Sequence, residues 1–373
     1  MERLIEDLTA ARTTALAWGA ELPNIVDTLY FGGGTPSLLP PELIERIMTA
    51  IRHEFTVLPE AEITFEVAPA TLSDATLDAM AASGATRLSF GVQSFIDAEA
   101  QAVGRKHSRE DVLRDLERAR QAGITDLNLD LLAGLPGQTP ASWRESLAVL
   151  GETGVSHASV YMLEVDEDSR LGTELLAGGT RYGAQLVPHD EAIATMYEVA
   201  IQTLAEQGLA QYEISNFASP GAESRHNLRY WERRPYLGLG VDAHSMLRGA
   251  SSTGPSRRSP IHPGPAMRFA SAEGLEAYLD CPGWLPPTAL TRAEELEEAW
   301  FLGLRRNAGV SLKALTEEFG PAPVEACAGA IESLLADGLI DVVGLISVEG
   351  QRVRLTATGR LLSNEVFARF LAD

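Results

Sequence analysis

Cysteine is almost absent from this chain: its 373 residues contain two, Cys281 and Cys327. They are far apart and match no CxxC spacing, which excludes a disulfide framework and leaves no zinc signature. Long apolar runs are missing as well, and none approaches the roughly 20 residues that span a bilayer. Met1 is followed by Glu2, Arg3, Leu4 and a charged amphipathic pattern, so there is no apolar secretory core. Basic charge is scarce, with 30 Lys and Arg against 52 Asp and Glu and a net charge of −22. Such an acidic surface repels phosphate, which argues against bulk nucleic-acid binding and against direct contact with anionic membrane. Arg233 and Arg234 are the place best suited to a local basic patch. These absences lead us to expect a soluble cytoplasmic protein that meets membranes only through a partner.

What is present suits two or three domains, since 45% of the residues are hydrophobic, enough for a sizeable core. Leu4, Leu8, Ala11 and Ala15 fall on one face of an opening helix, with nothing ahead of Glu2 to cap it. Short apolar runs then recur at 26–31, 63–67, 88–92, 127–132 and 158–163. Helical stretches with start signals separate them: Pro40-Pro41, then Ser73, Ser108, and Thr139 with Pro140. Strand–helix–strand alternation predicts parallel strands, because parallel neighbours need a crossover, and a barrel-like α/β architecture with functional groups at the strands' carboxyl ends. Residues 172–188 read as a loop, 249–265 as a linker. Thr291 with Glu294 forms a capping box. It opens a last region of helices (312–319, 323–336), strands (339–343, 353–355) around a hairpin at 344–351, and a final helix from Thr356. That is a winged-helix-like α+β order. With the acidic surface, it favours packing or partner docking over DNA binding. The domains expected are 1–210 (partial barrel), 211–285 (extension and linker, dense in aromatics and His) and 286–373 (winged-helix-like).

The chemistry-bearing residues sit at successive strand ends. Tyr30-Phe31-Gly32-Gly33-Gly34-Thr35-Pro36 follows the first strand; its glycines admit close backbone approach and leave N–H groups for a ligand. No Lys-Ser/Thr pair follows, so it is not a P-loop. Glu66 ends the second strand, Gln93 the third, Arg105 lies in the following GRKHS run at 104–108, and Asp130 ends the fourth. Taken singly, each also suits a solvated turn or a surface ion pair. Together, donors for a carboxylate and acceptors for an ammonium and hydroxyls suit a zwitterionic, ribose-bearing ligand.

GGGTPS at 32–37, RLSFGVQSF at 87–95, GRKHS at 104–108, DLLAGLPGQT at 130–139, QYEISNFA at 211–218, HNLRYW at 226–231, YLGLGVDAHS at 236–245 and LTATG at 355–359 closely resemble the oxygen-independent coproporphyrinogen III oxidase-like radical-SAM family. HNLRYW favours its heme-chaperone branch over the true oxidases. The resemblance spans 28–370. It implies a radical-SAM-type partial barrel whose Gly33, Gly34 and Thr35 contact S-adenosylmethionine, with Glu66, Gln93, Arg105 and Asp130 around its methionine and ribose. The family usually has Asn where this chain has Ala68. It also implies heme binding, with His226 and then His244 as contacts, and heme-accepting proteins as partners. The other functions the resemblance leaves open are oxygen-independent decarboxylation of coproporphyrinogen III and a cluster-less binding or docking module.

Radical-SAM chemistry needs three thiolates in a CxxxCxxC loop to hold a [4Fe–4S] cluster. This chain has no such loop, and neither Cys281 nor Cys327 substitutes. In the family the loop precedes the helix that begins here at Met1, so the expected missing piece is the first barrel strand. Two accounts stand: a start assigned too late, which the unpaired strand edge left behind would favour, or true loss of the cluster.

Overall fold

The computed structural model describes residues 1–165, 170–179, 181–249, 264–281, 283–344 and 350–371. The linker expected at 249–265 and the hairpin expected at 344–351 fall mostly outside them.

The chain is built on a seven-stranded sheet: β1 (Ile25–Phe31), β2 (Thr56–Val67), β3 (Arg87–Gln93), β4 (Asp126–Ala133), β5 (His157–Met162), β6 (Ala210–Gln211) and β7 (Asn216–Ala218), in the order β1-β2-β3-β4-β5-β7-β6. Strands β2 to β5 run parallel, and β7 returns antiparallel against β5 and β6. Helices cross between the parallel strands: Asp74–Ala82, then Asp97–Ala102 and Arg109–Gln121, then Pro140–Thr153. Their starts are fixed by the residues that signalled them. Ser73 accepts from the Thr76 N–H, and Ser108 forms a capping box with Asp111. Thr139 does the same with Ser142. Each such cap stabilises its helix by about 1 kcal/mol. The result is the expected α/β architecture, a partial parallel (β/α) barrel.

The strands alternate with period two, so one face is apolar and the other polar. Phe65, Leu88, Phe90, Leu127, Leu129 and Val160 are all 0% exposed on the helix-covered face. Burial of each stabilises by about 1.5–3 kcal/mol. The opposite face carries Thr64 and Glu66 from β2, Ser89 and Gly91 from β3, Asn128 and Asp130 from β4, and His157, Ser159 and Tyr161 from β5. Parallel sheets covered on both faces normally read as unbroken apolar runs, and barrel interiors are normally packed with branched aliphatic side chains. This polar face is therefore built to hold hydrogen bonds.

The chain divides into two compact units, 28–46 with 60–224, and 1–27 with 47–59 and 225–373. The second contains an antiparallel four-stranded sheet ordered Ala20–Glu21, His244–Gly249, Ala266–Ala270, Thr288–Ala289. It closes on a cluster of Ala11, Ala15, Ala20, Leu247, Phe269 and Trp284. The opening helix, Glu2–Ala17, has no side-chain cap bond at Met1, as its sequence implies. The unit ends in the winged-helix-like part. The Thr291–Glu294 capping box opens helix Arg292–Arg305, and a three-stranded antiparallel sheet places Arg352–Leu355 between Val310–Ser311 and Ile340–Val343.

Three local expectations are corrected. Residues 172–188 are not one loop: they hold parts of helix Arg170–Leu176 and the 3-10 turn Arg181–Leu186, hidden by their glycines. The helix expected at 323–336 is two, Pro321–Ala326 and Ala328–Ala336, broken at Cys327. The final helix likewise splits at Leu362.

Candidate functional site

The carboxyl ends of β1 to β4 bring several polar groups together. The Tyr30 hydroxyl donates to Glu66 Oε1 at 2.8 Å. A Cβ on Gly32 would lie 2.7 Å from that oxygen and from the Tyr30 ring, so the backbone passes the pair only as glycine. Gly33 takes a φ of +77°. No atom lies within 4 Å of where a Cβ on Gly33 or Gly34 would point, which leaves open space along this backbone. Thr35, half-buried, leads into the 3-10 turn Pro36–Leu38. Ser37 Oγ then accepts the Ala68 N–H at 3.2 Å and meets Thr71 Oγ1 at 2.6 Å, tying this turn to the end of β2.

Asp130 lies two strands further in, on β4. Its Oδ1 accepts from Asn128 Nδ2 at 2.8 Å, and Ser89 Oγ approaches its other oxygen at 3.5 Å. Part of the residue stays accessible, yet protein atoms crowd the carboxyl. Burial first, and the Glu66 charge as well, push its pKa up to about 6 against the hydrogen bonds from Ser159, Asn128 and Ser89. Burial and the same carboxylates raise the Tyr30 and Tyr161 phenols. At neutral pH the rim thus offers the Asp130 carboxylate as an acceptor beside protonated phenol donors.

The third strand ends under strain. Its pairing with β4 shifts register between Gly91 and Gln93, and Gln93 holds a φ of +70°. A left-handed backbone at a residue with a Cβ costs about 1–2 kcal/mol, and such outliers gather at ligand sites. A Cβ on Gly91 would meet the Arg105 guanidinium and Gln93 Nε2, each 3.6 Å away, so these side chains flank the same point. Two residues after Arg105, His107 Nε2 lies 3.1 Å from the Val92 carbonyl, which ties this loop to β3. Burial lowers the His107 pKa, so a neutral ring donates that bond. Gly91 is the register partner of Asp130 and Glu66 that of Ser89. Glu66, Gln93 and Asp130 therefore stand on adjacent strands, with Glu66 beside Gly32 and the Arg105 guanidinium, from the loop that follows, beside Gly91. Tyr30 and Gly32, part of the Gly-rich run read in the sequence, join them, as does Tyr161, which was not singled out and to which the polar–apolar alternation of β5 points.

Residues 7–150 match the radical SAM superfamily, and 290–362 match the HemN C-terminal domain. The chain is 36% identical over 349 residues to the heme chaperone HemW of Bacillus subtilis (strain 168), covering 93% of this chain and 86% of that protein. The chain belongs to the heme chaperone HemW family. Another HemW-family member, from Mycobacterium tuberculosis (strain ATCC 25618 / H37Rv), is 32% identical over 93% of this chain and 81% of its own length. The mitochondrial radical S-adenosyl methionine domain-containing protein 1 of Mus musculus is 34% identical over 89% of this chain and 73% of its own length. Among solved structures, coproporphyrinogen III oxidase (HemN) from Escherichia coli, described as a radical SAM enzyme, superposes with a TM-score of 0.78. That match covers 99% of this chain and 82% of that one at 24% identity, and establishes the fold as of radical-SAM type.

The two histidines singled out in the sequence differ sharply. His226 lies on helix Arg225–Trp231, with Nε2 2.9 Å from the Tyr230 hydroxyl and the two rings edge-on at 5.1 Å. Tyr230 meets Tyr236 edge-on at 4.6 Å. Burial, then the Arg229 charge, lower the His226 pKa to about 4, so its imidazole is neutral at neutral pH. His244 begins a strand, is 72% exposed at its side chain, and stands 3.8 Å from Asp242. The local basic patch is overturned. Arg233 is buried and pairs with Glu318 at 2.7 Å, while Arg234 lies 3.3 Å from Glu232.

The residues here fit one family cofactor and not another. The open backbone at Gly33 and Gly34, the two carboxylates, Gln93 and Arg105 match the chemistry of S-adenosylmethionine. A [4Fe–4S] cluster needs thiolates, and the chain's two cysteines are an exposed one after helix Leu275–Asp280 and a half-buried one between short helices. Among the described residues no three His, Cys, Asp or Glu side chains converge as a metal site, and no helix is long and apolar enough to cross a membrane.

Proposed function

We propose that this chain is a cytoplasmic heme chaperone that binds heme and S-adenosylmethionine and passes heme to acceptor proteins. The observation that carries the proposal is the 36% identity across 86% of a curated heme chaperone. The rim geometry supports the second ligand. Asp130 and Glu66 accept hydrogen bonds from ribose hydroxyls and the methionyl ammonium, Arg105 and Gln93 donate to the carboxylate, and the backbone at Gly33, Gly34 and Thr35 borders the ligand. When bound, S-adenosylmethionine supplies an activated sulfonium. No step through a cluster follows from this chain's own residues.

For heme, His226 is the proposed contact: a neutral imidazole among aromatic rings suits both iron and a flat macrocycle. His244, exposed and beside a carboxylate, is the secondary candidate. Oxidative decarboxylation of coproporphyrinogen rests on likeness of fold, which does not by itself carry an activity.

Hemin titration followed by the Soret band tests the reading. The chain is expected to bind with a shifted band, and His226→Ala to bind at least about tenfold more weakly, a loss near 1.4 kcal/mol. A chain with no Soret shift would overturn the heme assignment. An unweakened His226→Ala would remove His226 from it.

A further inference from the structure

Behind the rim, polar side chains of one compact unit form a hydrogen-bond chain with a single direction. The Tyr212 hydroxyl accepts the Ser224 N–H at 3.2 Å and lies 2.9 Å from His157 Nε2. His157 Nδ1 lies 2.6 Å from Asn128 Oδ1, which also accepts from Ser159 Oγ at 3.2 Å. Asn128 Nδ2 then donates to Ser89 Oγ and to Asp130 Oδ1, both at 2.8 Å. His157 is 1% and Asn128 4% exposed, so water does not substitute for these bonds.

The donors and acceptors admit one assignment. A phenol has a single hydrogen. The Tyr212 oxygen accepts the Ser224 N–H, and its own hydrogen can serve His157 Nε2, which then accepts. Nδ1 then carries the ring proton and donates to the Asn128 carbonyl. The amide is left with its NH₂ toward Asp130. The other tautomer would ask Asn128 to donate to His157 and would turn its carbonyl onto the Asp130 carboxylate, acceptor against acceptor.

We infer that His157 is a positioning residue for Asp130: its Nδ1-protonated tautomer, with Tyr212 as the donor to Nε2, fixes the direction of the Asn128 amide and so holds the carboxylate ready as an acceptor for a ribose-bearing ligand. This rests on the reading of Asp130 as a ligand acceptor. Burial, then the charge of Arg87, keep the His157 ring neutral. Arg87 is itself paired with Asp126 at 2.8 Å, and the other charges facing the chain are Glu66 toward Asp130 and Glu213 and Glu62 toward Tyr212.

Two substitutions separate tautomer from bulk. The amide nitrogen of Asn at 157 falls where Nδ1 was and keeps the donor to Asn128; that of Gln falls near Nε2 and loses it, although Gln is the larger side chain. The Asp130 carboxyl is titrated by carbon NMR without ligand, and S-adenosylmethionine binding is measured by calorimetry from pH 5 to 8. His157→Asn is expected to keep the Asp130 midpoint and to bind within about twofold of the parent. His157→Gln and Tyr212→Phe are expected to raise that midpoint by about one unit, because a hydrogen bond to the charged form is lost, and to weaken binding about threefold at pH 6.5, converging by pH 8. An unmoved Asp130 midpoint in both, or His157→Asn as impaired as His157→Gln, overturns the inference. Should the parent fail to bind S-adenosylmethionine, the ligand reading falls, while the carboxyl titration still judges the relay. Tyr212→Phe gives the same readout if His157→Gln does not fold.

Discussion

The rim of the parallel sheet and the helix that carries His226 are built on opposite plans. Glu66, Gln93 and Asp130 project from adjacent strands, and Asp130 is held by Asn128 and Ser89. His226 sits half-buried on a seven-residue helix with no fully buried residue, with edge-on aromatic rings around it and Arg229 pairing with Asp27. Burial acts on both in the same sense, toward the neutral form, raising Asp130 and lowering His226. The contrast suggests two ligand types. Strand-borne groups fixed by partners suit a small polar molecule that must be met atom by atom. A short helix with aromatic faces suits a broad flat one.

The largest effect that would test this contrast is on ligand selectivity. Asp130→Ala is expected to weaken S-adenosylmethionine binding by about 10- to 100-fold, the range for a hydrogen bond to a charged group, and to leave hemin affinity unchanged. Calorimetry and Soret titration on the same preparation check both halves; loss of both ligands together would erase the distinction between the regions.

Next come the pH effects on stability, which have opposite signs. Asp130 has a folded pKa of about 6 against an ordinary 3.8, so its contribution is present below 3.8 and lost as pH rises through 6. Asp130→Asn should therefore gain up to about 3 kcal/mol over the parent by pH 7 and little at pH 4. His226 is depressed to about 4 from 6.5, so its contribution is present above 6.5 and lost as pH falls toward 4. His226→Gln should flatten that acid limb by about 3 kcal/mol at most. Urea unfolding across pH 4 to 7.5 reads both, and parallel slopes in the two variants would contradict the opposite signs.

The smallest expected effect sharpens the rim alone. Gln93→Gly relieves a left-handed backbone and should stabilise the chain by about 1 kcal/mol, while binding S-adenosylmethionine several-fold less well. Stability gained with no loss of affinity would reduce Gln93 to a strained turn residue.

Much of this was legible beforehand. Ser73, Ser108, Thr139 and Thr291 announced their helices because a cap is a local interaction, and the strand positions followed from crossover logic. Glu66, Gln93 and Asp130 drew attention because each is a polar residue toward the carboxyl end of a strand. Other features depend on distant partners. The strands Ala20–Glu21 and Ala266–Ala270 show no periodicity of their own, and become strands only beside His244–Gly249. The Gln93 backbone leaves no mark in composition. Arg233 and Arg234 looked like a cationic patch because Glu318 and Glu232 cannot be assigned to them from sequence. His157 reads as an ordinary strand residue until Tyr212, 55 positions away, is seen against it.

The two-faced strands have a further consequence for assembly. A slip of one residue in any parallel pairing would press Asp130 or Asn128 into the oily layer beneath the helices and turn Phe90 or Leu129 outward. Misthreaded versions of the domain are thus penalised at every strand at once. The same division lets side chains on the polar face be exchanged for others of similar polarity while the layer that drives collapse is left untouched.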